Sequence, residues 1–374
     1  MKFCFWGNNI VNALNGKTSG GGELQIALLS KALAKAGHDV VIIDPYSIKS
    51  FTTDEGIKLV NVPNWNKGWR GIRLFWYRIP ELYKLFKEQN ADYYYGRMRT
   101  YLHIIPYLAA RKIKKKFILA LASDIDVLSL WGKYKYEYKS SFNFFRYAGV
   151  FLPGDIVFKY LLRKADYVIL QHAGQDAMST AVNGKKIIFP NIIDKNNLPE
   201  EKNQVKDYFI YVGSLTMLKG ADKLYQLVNS IDKSSLVMIV GQPSDNKSAT
   251  IFEQLKRITN ALIKGRLPHS DTLQLVANSK ALINTSNYEG FPNVFLEAWA
   301  MGVPVVSLKV NPGNVINKYG LGICCDGDLE RMKECINQDI PARFDKGKLI
   351  SYINEFHDFN TAGDRFVNCL KTAQ

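Results

Sequence analysis

The stretch TSNYEGFPNVFLEAWAMGVPVVS, residues 285–307, sets two carboxylates, Glu289 and Glu297, eight positions apart around a Gly-Phe-Pro turn. An apolar helix follows, then a short strand-like run from Val303 to Leu308. This order predicts one acid before a helix start and the other two turns inside the helix, with the N-terminal N–H groups between them. Unpaired N–H groups and aligned peptide dipoles at such a start favour anions, phosphates above all. The spacing points to a ligand that is both anionic and rich in hydroxyls, such as a sugar nucleotide. The amides of Gly290, Phe291 and Asn293 are candidates to hold a diphosphate, while Pro292 has no N–H to give and Val294 continues the segment. Glu297 would accept from ribose hydroxyls. Glu289 would accept from sugar hydroxyls or shield positive charge at an anomeric carbon. The plainer alternative is two surface acids flanking a helix start.

Moving outward, the chain alternates strand-like and helix-like segments in both halves. KFCFWG reads as a strand, NNIVNALNGKTSGGG as a polar loop, ELQIALLSKALAKAG as a helix stopped by Gly37, and HDVVIID as a second strand. Strand, helix and strand in that order predict a right-handed parallel crossover. KFILALAS (116–123) and DYVILQ (166–171) are further buried strands. PNIIDKNNLPEEKNQVKD, with two prolines among dense polar residues, reads as a linker near residues 190–207. The pattern then restarts with DYFIYVGS, ADKLYQLVNSI, SSLVMIVGQ, KALINTS (280–286) and VPVVSL (303–308). The expected class is α/β, with two doubly wound Rossmann-like domains over residues 1–195 and 205–355.

Two further loops carry candidate residues. Ser19-Gly20-Gly21-Gly22-Glu23 lies between the first strand and first helix, where glycines permit close backbone approach to a ligand. It is neither GxGxxG nor a P-loop. In the second half, Gly213-Ser214-Leu215-Thr216-Met217-Leu218-Lys219-Gly220 follows a strand and precedes a helix. A lysine at the mouth of a doubly wound sheet can neutralise a phosphate. Taken singly, each loop also reads as ordinary solvated connection.

Composition narrows the classes. A chain of 374 residues with 47% hydrophobic and 22% charged content suits two buried cores. No apolar run approaches the roughly 18–20 residues of a membrane helix. FCFW is too short for a signal-peptide core. The cysteines (Cys4, Cys324, Cys325, Cys335, Cys369) lack a CxxC pair or a nearby histidine cluster, so free buried thiols in a reducing cytoplasm are expected. The net charge of +15 is concentrated in residues 67–116, where thirteen Lys and Arg stand against Glu81, Glu88 and Asp92. Aromatics interleave there: Trp65, Trp69, Phe75, Trp76, Tyr77, Tyr83, Phe86, Tyr93, Tyr94 and Tyr95. Such a window suits an anionic membrane surface, a nucleic acid, or a solvated helix face over a packed interior.

Taken together, the motifs resemble the family-4 retaining glycosyltransferases of the two-domain GT-B fold. The family signature is similar to Ser286, Glu289-Gly290-Phe291, Leu296-Glu297-Ala298, Ala300, Gly302 and Pro304-Val305-Val306. Its Gly-Gly-x-Glu loop matches Gly20 to Glu23, and its Pro-Asn-x-x-Asp junction matches Pro190, Asn191 and Asp194. Its Gly-Arg-x-x-x-x-Lys-Gly matches Gly213, Lys219 and Gly220, with Ser214 where the family has arginine. The resemblance implies that Lys219 contacts the donor diphosphate, Glu289 lies at the donor sugar and Glu297 binds the nucleotide ribose. It implies that Gly20, Gly21 and Gly22 face the phosphates across a cleft, and that Gly265-Arg266-Leu267 cradles the base. It also implies that residues 356–374 form a helix returning to the N-terminal domain.

Where the family often has a histidine after the strand FILALA, this chain has Ser123, Asp124 and Asp126. Asp124 is the candidate to position an acceptor hydroxyl or the donor sugar. Asp124-Ile125-Asp126 is also a DxD-like triplet at a strand end that could hold a divalent cation, though the resemblance implies no metal and no cofactor beyond the donor. The implied activity is transfer of a hexose-type sugar from a nucleotide diphosphate sugar to an acceptor hydroxyl, with retention. The basic aromatic window suggests a saccharide or lipid-linked saccharide acceptor at the inner membrane face, as in lipopolysaccharide or capsule assembly, with peripheral contact to anionic lipid. The rivals are a non-catalytic sugar-nucleotide-binding partner subunit, a sugar-nucleotide epimerase on the same fold and, on charge alone, a nucleic-acid binder.

Overall fold

In the first strand, β1 (Lys2–Trp6), Phe3 and Phe5 enter one apolar layer while Cys4 and Trp6 enter another. A strand buried on both faces needs a continuous apolar run, the mark of a parallel sheet covered by helices on each side. The computed structural model describes residues 1–17, 20–69, 72–128, 149, 151–178, 182–199, 207–338 and 343–373. Their contacts divide them into two units, one built from the described residues of 1–128, 149–192 and 359–373, the other from 193–358.

The first unit holds β1, β2 (Asp39–Asp44), β3 (Phe51–Thr52), β4 (Lys58–Asn61), β5 (Tyr93–Arg97), β6 (Lys116–Ala120), β7 (Tyr167–Leu170) and β8 (Lys185–Ile188). Their order across the sheet is β3-β4-β2-β1-β5-β6-β7-β8, parallel except for β3 against β4. One face is covered by α1 (Ile10–Leu14) and α2 (Gly21–Lys35) through Ile10, Ala13, Ile26 and Leu33. The other is covered by α3 (Ile79–Gln89), α4 (Ile104–Lys112) and α5 (Leu152–Lys164) through Leu82, Phe86, Ile105, Phe158 and Leu161. A short α6 (Ala173–Met178) follows β7.

Two expectations change here. The stretch expected as a polar loop before Gly20 contains α1, because Ile10, Ala13 and Leu14 share one helical side and are buried. Gly20 is the N-cap of α2, and Gly21 and Gly22 are its first two residues rather than loop. The basic aromatic window is likewise only partly surface: Tyr93, Tyr94 and Tyr95 form β5, and Phe86 and Trp65 lie in the core. Its cations are partly neutralised, with Lys115 on Asp92 at 2.9 Å, Lys116 on Asp166 at 3.0 Å, and Arg99 between Asp126 and Asp155. Arg70 and Ser19 lie outside the described residues.

The second unit holds β9 (Phe209–Val212), β10 (Val237–Val240), β11 (Ala261–Gly265), β12 (Leu282–Asn284), β13 (Val305–Ser307) and β14 (Gly322–Cys324). All pair in parallel, in the order β11-β10-β9-β12-β13-β14. Alternation again sorts the side chains: Phe209 and Tyr211 enter the layer of α7 (Ala221–Ser230), α8 (Asn246–Leu255) and α12 (Leu329–Asn337). Tyr208 and Ile210 enter that of α9 (His269–Ala277), α10 (Asn293–Ala300), α11 (Val315–Tyr319) and α13 (Lys346–Phe356). The final helix, α14 (Phe359–Thr372), belongs to the first unit. It buries Phe366 and Leu370 there, and Gly363 lies so near α2 that a Cβ would meet the Ala32 carbonyl oxygen at 2.3 Å.

All five cysteines are unpaired thiols, and burial pushes Cys325 up to about 12. Among the described residues no helix is long and apolar enough to cross a membrane.

Candidate functional site

Counted from its own first strand, the second sheet has the order 3-2-1-4-5-6, so the chain winds one way from β9 and the other way from β12. Loops leaving the carboxyl ends of two such central strands diverge and open a crevice, the usual ligand position in open α/β sheets. The loop after β9 carries Gly213 to Gly220, and the loop after β12 carries Thr285 to Pro292.

The two loops are fastened to each other. Thr285 Oγ1 lies 3.1 Å from the carbonyl oxygens of both Lys219 and Gly220. Asn287 donates its N–H to Leu218 O at 3.0 Å and its amide to Met217 O at 3.1 Å. Gly220 has φ of 69°, and a Cβ there would meet Thr285 O at 1.9 Å. Only glycine combines that left-handed backbone with that approach. The result is a fixed relation between Lys219 and Glu289, whose ammonium and carboxylate form an ion pair. Ser286 Oγ donates to the same Glu289 oxygen at 2.9 Å. Both side chains stay reachable, Glu289 at 15% and Lys219 at 33% exposure. The pair brings one cation and one hydrogen-bond acceptor to the switch point. Beneath it, burial pushes the Tyr211 hydroxyl far up, and the Glu289 charge adds to this.

Glu297 corrects the sequence reading. The helix begins at Asn293, so Glu297 is its fifth residue, just past the first turn rather than two turns in. The reason is Pro292, which occupies the cap and leaves the preceding turn non-helical. Gly290, Phe291 and Pro292 are buried, and Phe291 packs its ring against Trp299 and His357. The Phe291 and Pro292 side chains therefore serve packing, so any ligand role here falls to the backbone, while Asn293 and Val294 are half-buried.

Glu297 also has a partner that the sequence did not single out. His269, the first residue of α9, places Nε2 2.8 Å from Glu297 Oε1. That carboxylate holds the imidazolium form and raises the His269 pKa. The signal available in sequence was position alone: His269 lies just beyond Gly265-Arg266-Leu267. Gly265 ends the edge strand β11, with its carbonyl accepting from Gly241 N at 2.8 Å, and Arg266 is exposed after it. Ser214, in the place where arginine was expected, is exposed at the end of β9. One strand, β10, separates the end of β11 that carries Arg266 from the end of β9 that carries Ser214.

In the first unit, Asp124 begins a short 3-10 turn after β6 and is held by His172 and Gln175. Asp126 belongs to a different set: it caps the turn through Ala122 N and Ser123 N and pairs with Arg99 at 3.0 Å. The two acids of the triplet are thus committed separately. Among the described residues no three His, Cys, Asp or Glu side chains gather as a metal cluster.

The match to known families falls on this second unit, since residues 191–338 match the model described as "Glycosyl transferases group 1". The matched residues are less than half of the chain. That segment contains Lys219, Glu289, Glu297 and His269. A curated relative, an uncharacterized glycosyltransferase of Methanocaldococcus jannaschii, is 25% identical over 177 residues. The match takes in 42% of this chain, and the chain spans less than half of that relative, 43%. Among solved structures, sucrose-phosphate synthase from Thermosynechococcus elongatus aligns with a TM-score of 0.75 at 15% identity, covering 99% of this chain and 98% of that one. Anabaena HepE in complex with UDP-glucose aligns at 0.71 and 15% identity over the whole of both chains. WaaG, a glycosyltransferase involved in lipopolysaccharide biosynthesis, aligns at 0.66 and 17% identity, covering 97% and 98%. The fold around the group 1 segment is GT-B, with its two Rossmann-like units.

Proposed function

We propose that this chain is a family-4 retaining glycosyltransferase. It moves a hexose-type sugar from a nucleotide diphosphate sugar to a hydroxyl of a saccharide or lipid-linked saccharide. The observation that carries the reading is the Lys219–Glu289 pair, fastened at the switch point of a group 1 segment. HepE, of the same fold, is described in complex with UDP-glucose. A donor of that kind suits a site with one cation for phosphate and two carboxylates for hydroxyls.

In this reading Lys219 leaves Glu289 for the donor diphosphate, and Glu289 turns to the sugar. Glu297 exchanges His269 for the ribose hydroxyls. The acceptor oxygen bonds the anomeric carbon on the face from which the diphosphate departs. The C1–O bond to phosphate breaks, and the departing phosphate oxygen takes the acceptor proton. Lys219 and the first-turn amides of α10 stabilise the charge that builds on that oxygen, without a resident metal. The acceptor belongs to surface polysaccharide, lipopolysaccharide or capsule assembly at the inner membrane face. The involvement of WaaG in lipopolysaccharide biosynthesis and the exposed Trp69, Phe75 and Trp76 of this chain support that placement.

Ser214 favours a second reading, a partner subunit that binds a sugar nucleotide without turnover, because one cation of the family motif is absent. A thermal-shift panel of UDP-glucose, UDP-galactose, UDP-N-acetylglucosamine and GDP-mannose separates the two, followed by assays of transfer and donor hydrolysis. A donor at ~100 times its Kd adds about 2.7 kcal/mol. A shift accompanied by turnover supports the transferase. A shift with neither transfer nor hydrolysis supports the partner subunit, and a donor converted to its epimer without acceptor supports an epimerase.

A further inference from the structure

At the carboxyl ends of β6 and β7, the first unit builds a buried polar scaffold that ends on Asp124. Asp124 Oδ1 is 2.9 Å from His172 Nε2 and accepts from Gln175 Nε2 at 2.8 Å. An ionised carboxylate only accepts, so the imidazole nitrogen facing it carries the proton. Gln175 also bonds Gln171 twice, through the Gln171 N–H at 2.8 Å and its side-chain oxygen at 3.3 Å. Gln171 donates to Asn191 Oδ1 at 3.0 Å, and Arg97 Nη2 donates to the same oxygen at 2.7 Å. His172, Gln175, Gln171, Asn191 and Arg97 are each at least nine-tenths buried. Gly174 leaves room for the ring, since a Cβ there would meet His172 Nδ1 at 3.0 Å.

All of this holds one oxygen of Asp124. The other, Oδ2, has no hydrogen bond among the described residues, and the side chain is 19% exposed. A structural acid would be expected to have both oxygens satisfied, as Asp126 does two residues away, through Arg99 and two backbone N–H groups. A rigid carboxylate with one free oxygen at the carboxyl edge of a parallel sheet is suited to accept from a ligand hydroxyl.

We infer that Asp124 Oδ2 accepts a hydrogen bond from a saccharide hydroxyl, and that His172 and Gln175 are positioning residues that aim it. This rests on the transferase reading. It assigns to a histidine from the following strand end, acting through Asp124, a task that needs no histidine after β6. The saccharide is either the donor sugar or the acceptor, and the two sources separate in the assay.

The test is a mutant cycle on the full chain with the donor selected by the nucleotide-sugar panel and octyl glucoside and octyl galactoside as probe acceptors. Asp124→Asn and His172→Phe should each lower transfer about tenfold to a hundredfold, the range for a lost hydrogen bond to a charged group. His172→Gln, which keeps an N–H donor, should recover most of the loss. In the Asp124→Asn background, His172→Phe should add little, because a residue that acts through another is silent once the other is gone. A purely structural histidine would instead cost the same in both backgrounds. Should His172→Phe not fold, Gln175→Leu runs the same cycle.

If the hydroxyl is the donor's, the variants slow donor hydrolysis without acceptor. If it is the acceptor's, hydrolysis is untouched and the acceptor KM or kcat moves. Full transfer by Asp124→Asn, or equal losses in both backgrounds, overturns the inference while leaving the transferase standing. A wild-type chain that neither transfers nor hydrolyses any donor overturns the transferase reading itself.

Discussion

At the residue scale the question is what Glu289 and Glu297 do when no ligand competes for them. Glu289 is engaged by Lys219 and Ser286, so its charge already has partners and Glu289→Gln should fold. It should nonetheless lose transfer by on the order of a hundredfold or more, the usual cost of removing a group that meets transition-state charge. Rates near wild type in a folded Glu289→Gln would sink that role. Glu297 is a different case, because His269 shares it. Glu297→Ala should weaken nucleotide affinity about tenfold to a hundredfold by calorimetry, the loss of a hydrogen bond to a charged group. The pairing also carries a pH sign. The His269 pKa is raised by Glu297, so the paired form is complete below the ordinary histidine value and is lost as pH rises through the raised one. His269 is 46% exposed, so its effect on stability is small. If ribose displaces His269, affinity should climb as pH rises from about 6 to 8, across the histidine range. The climb should vanish in His269→Ala, and an unchanged slope there would show that the two do not compete.

At the element scale, the legible parts were those whose burial is continuous. β1, β2, β6, β7 and β9 read correctly because strands buried on both faces are unbroken apolar runs. β5 did not, because its Tyr93-Tyr94-Tyr95-Gly96-Arg97 sequence sits among cations and reads as surface, although all five residues are buried. The Glu289 and Lys219 loops were legible from spacing, but their fastening was not. Thr285, Asn287 and the His172–Asp124 contact depend on partners 48 to 70 residues away. A single sequence carries no periodicity for such pairs. The fastening yields a prediction of its own. Gly220→Ala meets both an unfavourable left-handed backbone and Thr285 O, so it should destabilise by more than ~1 kcal/mol. Transfer should fall with it, because Lys219 moves with the loop. Thr285→Val, which removes only the hydroxyl, should cost less, and a Gly220→Ala chain as stable as wild type would contradict the close approach.

At the scale of the whole molecule, the net charge of +15 has to be weighed by where it is free and what lies beside it. Much of the basic window is paired or buried, as Arg97, Arg99, Lys115 and Lys116 show. Beside the remaining cations the first unit exposes a short apolar stripe. The N–H groups of Ile72 and Arg73 bond Trp69 O, those of Phe75 and Trp76 bond Ile72 O, and Trp69, Ile72, Phe75 and Trp76 are 82%, 49%, 67% and 73% exposed. Lys67 and Arg73 flank them, and α3 adds Lys84 and Lys87. Exposed tryptophans at helical spacing beside lysines match the chemistry of an anionic lipid interface, where rings enter the headgroup layer and each cation adds about 1 kcal/mol. A nucleic acid would use the cations and leave an apolar stripe without a purpose. The chain should therefore sediment with phosphatidylglycerol vesicles and not with phosphatidylcholine ones, and salt should weaken the binding. Trp76→Ser and Phe75→Ser should each lower partitioning about tenfold, from the apolar area withdrawn from lipid. Donor hydrolysis, in which the stripe has no proposed part, should be unchanged in both. Equal binding to neutral and anionic vesicles, or none to either, would place the acceptor in solution and leave the stripe for a protein partner.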